Sequence, residues 1–246
     1  MELLEAMRTT FSCRDFTDEP VTDDQLHRIL DAARFAPSGG NRQGAHVVVV
    51  RDREVRQRLG DLCGPTMRLY AAQGAAGETP FNTVVESTVD TEMVMVAEDP
   101  GDTAAGRSGL FENLGDVPVV LVVSVDLSVV ASMDKDLDRV GLVTGASVYP
   151  LVWNILLAAR TEGLAGVVTT AVVPAEDQVR DLLGLPDTHA VAAMIPLGVP
   201  IRQLTKLSRR PVEDFTTVDR FDGQRLGHCS EEPQGTPAWN WVSPST

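Results

Sequence analysis

The chain has 246 residues, 43% of them hydrophobic and 23% charged. That is a globular composition, long enough to bury roughly 70–75% of the unfolded surface, so it excludes wholesale disorder and a small disulfide-stapled module. Its 35 acidic against 21 basic residues leave a net charge of −14; such a surface repels phosphate backbones and anionic lipid, so neither nucleic acid nor a membrane is an expected partner.

The first helix is predicted over Glu2 to Thr9, with Leu3, Leu4 and Met7 on one side. An extended piece follows from Thr10 to Phe16. The second helix is better marked. Thr22 and Gln25 have capping-box spacing, Val21 and Leu26 occupy the staple positions, and Asp23 and Asp24 face the positive end of the dipole. Leu26, Ile29, Leu30 and Ala33 make its buried stripe, and Pro37 marks its end. Ser38, Gly39 and Gly40 form a loop. His46 to Val50 reads as a strand buried on both faces, because its apolarity is nearly continuous.

A third helix is predicted from Arg53 to Leu62. Residues 64–115 lack clear periodicity and read as a variable insert or lid. Pro118 to Val125 is a second buried strand. Val140 to Ala159 carries no charge and predicts one long helix, with Pro150 as the place for a kink. Twenty such residues could span a bilayer. Gly141, Thr144, Gly145, Ser147, Pro150 and Asn154 within the run favour a central core helix instead. Val167 to Val172 is a third strand, Pro174 opens a helix that closes at Gly184, and Ala190 to Ile195 is a fourth strand. The polar tail from Gly223 to Thr246, with Trp239 and Trp241, cannot build a core. The reading is one α+β domain over 1–222 followed by a tail over 223–246.

Much familiar chemistry is missing. There is no phosphate-binding glycine loop of the Walker or dinucleotide type and no nucleophile elbow. His27, His46, His189 and His228 are scattered, so no metal site is expected. Cys13, Cys63 and Cys229 are odd in number and irregularly spaced, which points to a reducing compartment, and the acidic start lacks the pattern of a signal peptide. The expectation is a cytoplasmic protein. An enzyme without an evident acid, base or nucleophile often leaves the chemistry to a cofactor.

Two segments suit a polar, anionic ligand. In an extended chain Thr10, Ser12 and Arg14 point to one side, two hydroxyls and a guanidinium together. In Ala36-Pro37-Ser38-Gly39-Gly40-Asn41-Arg42-Gln43, two amide side chains stand two apart beside a glycine pair that lets a ligand approach backbone N–H groups. A solvated edge and a plain polar loop are the alternatives for these segments taken singly.

Together and in this order they resemble the FMN-dependent nitroreductase family. The carriers are Thr10-Phe11-Ser12-Cys13-Arg14-Asp15-Phe16, Pro20-Val21, the helix from Asp23, and Ala36 to Gln43. Further on come Asn154 to Ala159, Glu162 to Gly166, Leu183 to Pro186, Pro196 to Pro200 and Arg209-Arg210-Pro211. The resemblance covers about residues 1–60 and 116–222.

It implies a mixed, mostly antiparallel sheet flanked by helices, and a homodimer with C-terminal exchange and FMN at the interface. By the same resemblance Thr10, Phe11 and Ser12 lie near the flavin phosphate, and Arg14 lies near N1 and O2. Pro37, Ser38, Gly39, Asn41 and Gln43 hold the ribityl chain or the ring edge. Val168, Thr169 and Thr170 pass against the ring, and Lys206, Arg209 and Arg210 serve the phosphate. The implied activity is ping-pong hydride transfer from NADH or NADPH to a nitroaromatic, quinone or related small acceptor, with no side chain as acid or base. An FMN dehydrogenase of a dedicated metabolite and a non-catalytic FMN binder are the alternatives; the lid pattern of flavin dehalogenases is absent. Two departures stand out: Thr10 replaces a common phosphate-binding arginine, and Gly44-Ala45 replaces a common Pro-Trp.

Overall fold

The computed structural model describes residues 1–96 and 109–227. They fall into two compact units, Met1–Lys206 and a second that begins at Leu207. Trp239, Trp241 and the rest of the tail beyond residue 227 lie outside the described residues, as does the 97–108 part of the expected insert.

The first unit is built on a four-stranded sheet of β1 (Ala45–Val50), β2 (Val119–Asp126), β3 (Ala165–Gly166) and β4 (His189–Gly198), in the order β1-β2-β4-β3. All named strands pair antiparallel. The isolated bridge between Ser12 and Gly166 is parallel, so the sheet is mixed. β2 is a valine-rich run with a neighbour on each side, and its alternation sorts the core into two halves. Val119, Leu121, Val123 and Val125 pack towards α2 (Asp23–Ala33) and α5 (Tyr149–Thr161). Val120 and Val122 pack on the other face, with Leu59 and Cys63 of α3 (Arg53–Ala75) and Val179 of α6 (Glu176–Leu183).

The capping box of α2 forms as its spacing predicts: Gln25 N–H donates to Thr22 Oγ1, and Gln25 Oε1 accepts from the Thr22 N–H. Val21 and Leu26 are both buried, consistent with the staple. Gly184, at φ 66°, closes α6 in the left-handed region.

Four expectations need correction. β1 is an edge strand paired only with β2: Val47 packs towards one half of the core and Val48 and Val50 towards the other, but only Val50 is fully buried, so both faces are covered in part rather than throughout. The third helix does not stop at Leu62 but continues to Ala75, through Gly64 and Pro65. Tertiary packing overrides both breakers, since Leu69 and Gln73 beyond them are buried. The remainder of that region includes α4 (Thr91–Val96), tied to α3 by a hydrogen bond from Arg68 to the Met95 carbonyl at 3.1 Å.

The uncharged run is not one kinked helix. A 3₁₀ turn covers Val143–Ser147, and Pro150 sits in the first turn of α5, where its missing N–H breaks no helical bond. No helix among the described residues is long and apolar enough to cross a membrane. Finally, the strand expected over Val167 to Val172 shrinks to Ala165–Gly166 plus a bridge at Thr169. Thr169 Oγ1 accepts from the Ala171 N–H at 3.2 Å, a local turn that draws the chain away from the sheet.

The helix α1 (Leu3–Thr9) buries Ala6 and Thr9 and leaves Leu3, Leu4 and Met7 exposed. In the second unit a 3₁₀ turn spans Val212–Asp214 and Thr217 bridges Arg225, while Phe215 and Phe221 stay exposed.

Candidate flavin site

The segment from Thr10 to Phe16 runs beside β3 and the end of β4. Cys13 N–H donates to the Gly166 carbonyl at 3.0 Å, and Thr17 N–H donates to the Val199 carbonyl at 2.9 Å. Alternation then buries Cys13 and leaves Ser12 and Arg14 exposed. Burial pushes the Cys13 thiol up, against a hydrogen bond to the Asp15 carbonyl. Arg14 rests one N–H on the Ser12 carbonyl at 3.3 Å and makes no ion pair among the described residues. Thr10 departs from the predicted outward face. It is buried, and its hydroxyl turns back to the Ala6 carbonyl at 2.8 Å, closing α1. Phe11 is half-buried.

Gly166 explains how the two chains lie so close. A Cβ there would stand 2.7 Å from the Pro196 carbonyl oxygen and 3.2 Å from both Leu156 and Leu197. Just beyond it, Thr169 exchanges two backbone hydrogen bonds with Met194, at 2.9 and 2.8 Å. Val168 and Thr169 are half-buried and Thr170 is exposed. The fold therefore joins Ser12 and Arg14 to the 165–170 segment. Lys206 is exposed at the end of the first unit; Arg209 and Arg210 are exposed in the second.

The other segment is a strained loop. Gly40, Asn41 and Gln43 have φ of 61°, 52° and 51°. For the two non-glycine residues such backbone costs about 1–2 kcal/mol each. Two local bonds and one long-range bond hold it: Gln43 N–H donates to Ser38 Oγ at 3.0 Å, Gln43 Nε2 donates to the Asn41 carbonyl at 3.3 Å, and Arg42 donates to the distant Val129 carbonyl at 3.2 Å. Ser38 is half-buried, whereas Pro37, Gly39, Asn41 and Gln43 are exposed. Beside the loop opens a cavity of about 510 Å³, with Leu30, Ala45, Val47 and Leu151 as its apolar wall and Ser38 and Gln43 on its polar side. The departure at Gly44-Ala45 now has a cause. A Cβ at Gly44 would meet Val129 at 2.7 Å and Val130 at 2.9 Å, so no side chain fits, and the small Ala45 leaves the cavity open.

Sequence reasoning missed the residues that brace this loop. Ser147 lies in the uncharged run, and its Oγ accepts from the Gly39 N–H at 3.1 Å. Asp134 lies in a run of charges that reads as a solvated face, yet it is buried. It accepts from the Leu142 N–H at 2.7 Å and from Arg139 at 2.8 Å; these bonds and one from the Val143 N–H hold its carboxyl down at about 2. Neither position carries a local signal: only the folded chain shows what each side chain meets.

The two segments do not meet within one chain. The loop enters β1 at one edge of the sheet, whereas Ser12 lies beyond β3 at the other, four strand spacings or roughly 19 Å away. They also sit at opposite strand ends, Ala45 beside Val125 and Gly166 beside Leu197. Along β4, from Ala190 to Leu197, that adds roughly 24 Å.

The nitroreductase family model matches residues 7–199. The chain belongs to the nitroreductase family. Among its relatives a putative NADH dehydrogenase/NAD(P)H nitroreductase of Archaeoglobus fulgidus is 28% identical over 229 residues, covering 92% of this chain and 96% of the relative. An FMN reductase [NAD(P)H] of Bacillus subtilis is 31% identical over 127 residues, 46% of this chain and 51% of that one. The NADPH:FMN oxidoreductase of Vibrio harveyi, solved in complex with NAD+, shares the fold with a TM-score of 0.61 at 22% identity, covering 92% of this chain and 79% of that one. Thr10, where the resemblance expects an arginine, carries no charge, and its hydroxyl is already committed to helix α1.

Proposed function

We propose that this protein is an FMN-dependent NAD(P)H oxidoreductase, active as a homodimer with one flavin at each of two interface sites. The observation that carries the dimer is the diagonal separation just described. Each sheet edge carries half of the polar surface the family uses, and the halves are farther apart than one FMN can bridge. A second copy, turned about a two-fold axis, sets the loop of one protomer against the Ser12–Arg14 edge of its partner. Exposed Leu3, Leu4 and Met7 on α1 supply apolar surface for such a contact. The names carried by the similar proteins, an FMN reductase and an NADPH:FMN oxidoreductase, support the cofactor and the donor.

The residues present fit the group. Bound FMN supplies a ring that accepts a hydride from NADH or NADPH and passes it to a nitroaromatic, quinone or related small acceptor in a second half-reaction. Arg14, which makes no ion pair among the described residues, would hold positive charge beside the bound flavin and so favour its reduced form. Ser38, Asn41 and Gln43 orient the ring edge or the ribityl chain. Val168, Thr169 and Thr170 line the ring, and the fixed backbone at Thr169 keeps that wall in place. With Thr10 uncharged, the phosphate falls to Ser12 and Lys206, and the family resemblance alone adds Arg209 and Arg210; each charge-assisted bond contributes about 1.5–3 kcal/mol. No side chain is needed as acid or base. Two buried, unpaired thiols, Cys13 and Cys63, fit a reducing compartment, and we place the protein in the cytoplasm.

The test is direct. The purified protein is expected to be yellow, to sediment as a dimer and to bleach within seconds of anaerobic NADH or NADPH addition. A yellow dimer that ignores both nicotinamides would replace the reductase with a dedicated dehydrogenase or a flavin binder. A colourless monomer that stays so in excess FMN would refute the whole reading.

A further inference from the structure

The Ser38–Gln43 loop is pinned by groups given no part in the activity proposed above. Gly39 N–H donates to Ser147 Oγ at 3.1 Å, and Ser147 itself lines the cavity. Ser147 is 9% exposed and ends the 3₁₀ turn Val143–Ser147. The start of that turn is fixed in its own right. The Asp134 carboxylate, 3% exposed, receives the N–H groups of Leu142 at 2.7 Å and Val143 at 3.3 Å. Arg139 closes over the same oxygen at 2.8 Å, and Thr144 Oγ1 donates to Ser132 Oγ at 2.8 Å. Hydrogen bonds at its two ends thus tie one turn to a buried carboxylate and to Gly39, in a loop whose backbone is strained at Asn41 and Gln43. Within the loop Gln43 N–H donates to Ser38 Oγ; Ser147 ties the entrance of the loop to the body of the fold, and Arg42 ties its far end through the Val129 carbonyl.

We propose that Ser147 and Asp134 are positioning residues of the flavin site, Ser147 by holding Gly39 directly and Asp134 by setting the turn that carries Ser147. The proposal rests on the flavin reading of the loop. Without the Ser147 hydroxyl the Gly39 N–H loses its partner, the strained residues relax, and Asn41 and Gln43 no longer meet the flavin at a fixed angle. The hydroxyl rather than side-chain volume is what matters, so threonine serves in place of serine. Because both residues act through one turn, their effects overlap when combined.

The experiment titrates FMN into apoprotein, followed by flavin fluorescence and by the visible circular dichroism of the bound ring, for the parent, Ser147→Ala, Ser147→Thr, Asp134→Asn and the Ala/Asn double variant. The expected result is an FMN dissociation constant raised about tenfold in Ser147→Ala, the scale of one lost hydrogen bond, with a weakened dichroic band. Ser147→Thr is expected to restore both. Asp134→Asn is expected to lie between parent and Ser147→Ala, and the double variant to lose less than the product of the single losses. Parent-like affinity and dichroism in Ser147→Ala would overturn the positioning role and leave the flavin reading intact. Equal loss in the alanine and threonine variants would overturn it too, because the hydroxyl would then be irrelevant. A parent that binds no FMN would overturn the flavin reading itself, and this proposal with it.

Discussion

Gly166→Ala is the most informative single substitution for the site. Gly166 lies where the N-terminal segment, β4 and α5 converge, and its missing Cβ is what lets them touch. An added methyl would begin 2.7 Å from the Pro196 carbonyl oxygen, with Leu156 and Leu197 at 3.2 Å. Ordinary contact needs about 3.4 Å, so the backbone at 166 must retreat by about 0.7 Å. Pro196 belongs to the buried strand β4 and cannot yield. Overpacking of this kind costs about 1–3 kcal/mol. Loss of glycine's freedom in the unfolded chain returns about 0.4–1 kcal/mol. The net is a destabilisation of about 1–2 kcal/mol, which for a domain of this size lowers Tm by about 2–8 °C. The same retreat pulls the Gly166 carbonyl from the Cys13 N–H and shifts Val168 to Thr170, so FMN retention is expected to weaken as well. Gly74→Ala is the control. It lies near the end of α3 with nothing within 4 Å of its would-be Cβ, so it is expected to stabilise by about 0.5–1 kcal/mol. Thermal unfolding of the two apoproteins, followed by FMN titration, reads both effects. If Gly166→Ala melts at or above the parent, close backbone approach at this point is not what the structure makes of it.

Three further outcomes are expected. Arg14→Ala should lower the midpoint potential of the bound flavin, since a cation beside the ring favours the reduced form; a potential that stays put or rises in a spectroelectrochemical titration would contradict the role given to Arg14. Arg209→Ala should release FMN on dialysis where the parent retains it, and unchanged occupancy would remove Arg209 from the phosphate. Asp134 makes a pH signature: its carboxyl is lowered from 3.8 to about 2 in the fold, so its stabilisation is complete above about pH 4 and is lost as pH falls through about 2. Asp134→Asn should therefore flatten the acid limb of the Tm-against-pH curve in that window and leave its shape near neutrality unchanged; an acid limb identical to the parent's would show that this carboxylate is not held down.

The sequence by itself determined the class and most of the local structure. Alternating and continuous apolar runs mark β2 and β4, because a central strand has to be apolar on both faces. The Thr22-Gln25 box, the Val21-Leu26 staple and Gly184 fix helix ends through contacts a few residues apart, and such contacts are legible without a fold. The ordered motifs from Thr10 to Gln43 were enough to suggest the family. What the sequence could not show is which neighbours each segment acquires. β1 resembles a central strand until the sheet order places it at an edge. Gly64 and Pro65 resemble a helix end until Leu69 and Gln73 find burial beyond them. Thr10 resembles a ligand group until α1 claims its hydroxyl. Ser147 resembles nothing in particular, because its partner lies 108 residues away and is reached only after the chain has closed on itself, and Asp134 caps an irregular turn 8 residues on that has no sequence pattern of its own. The separation of the two polar segments at opposite corners of the sheet is likewise a property of strand order alone. Local rules act over a few residues; strand order and bracing are set by long-range packing.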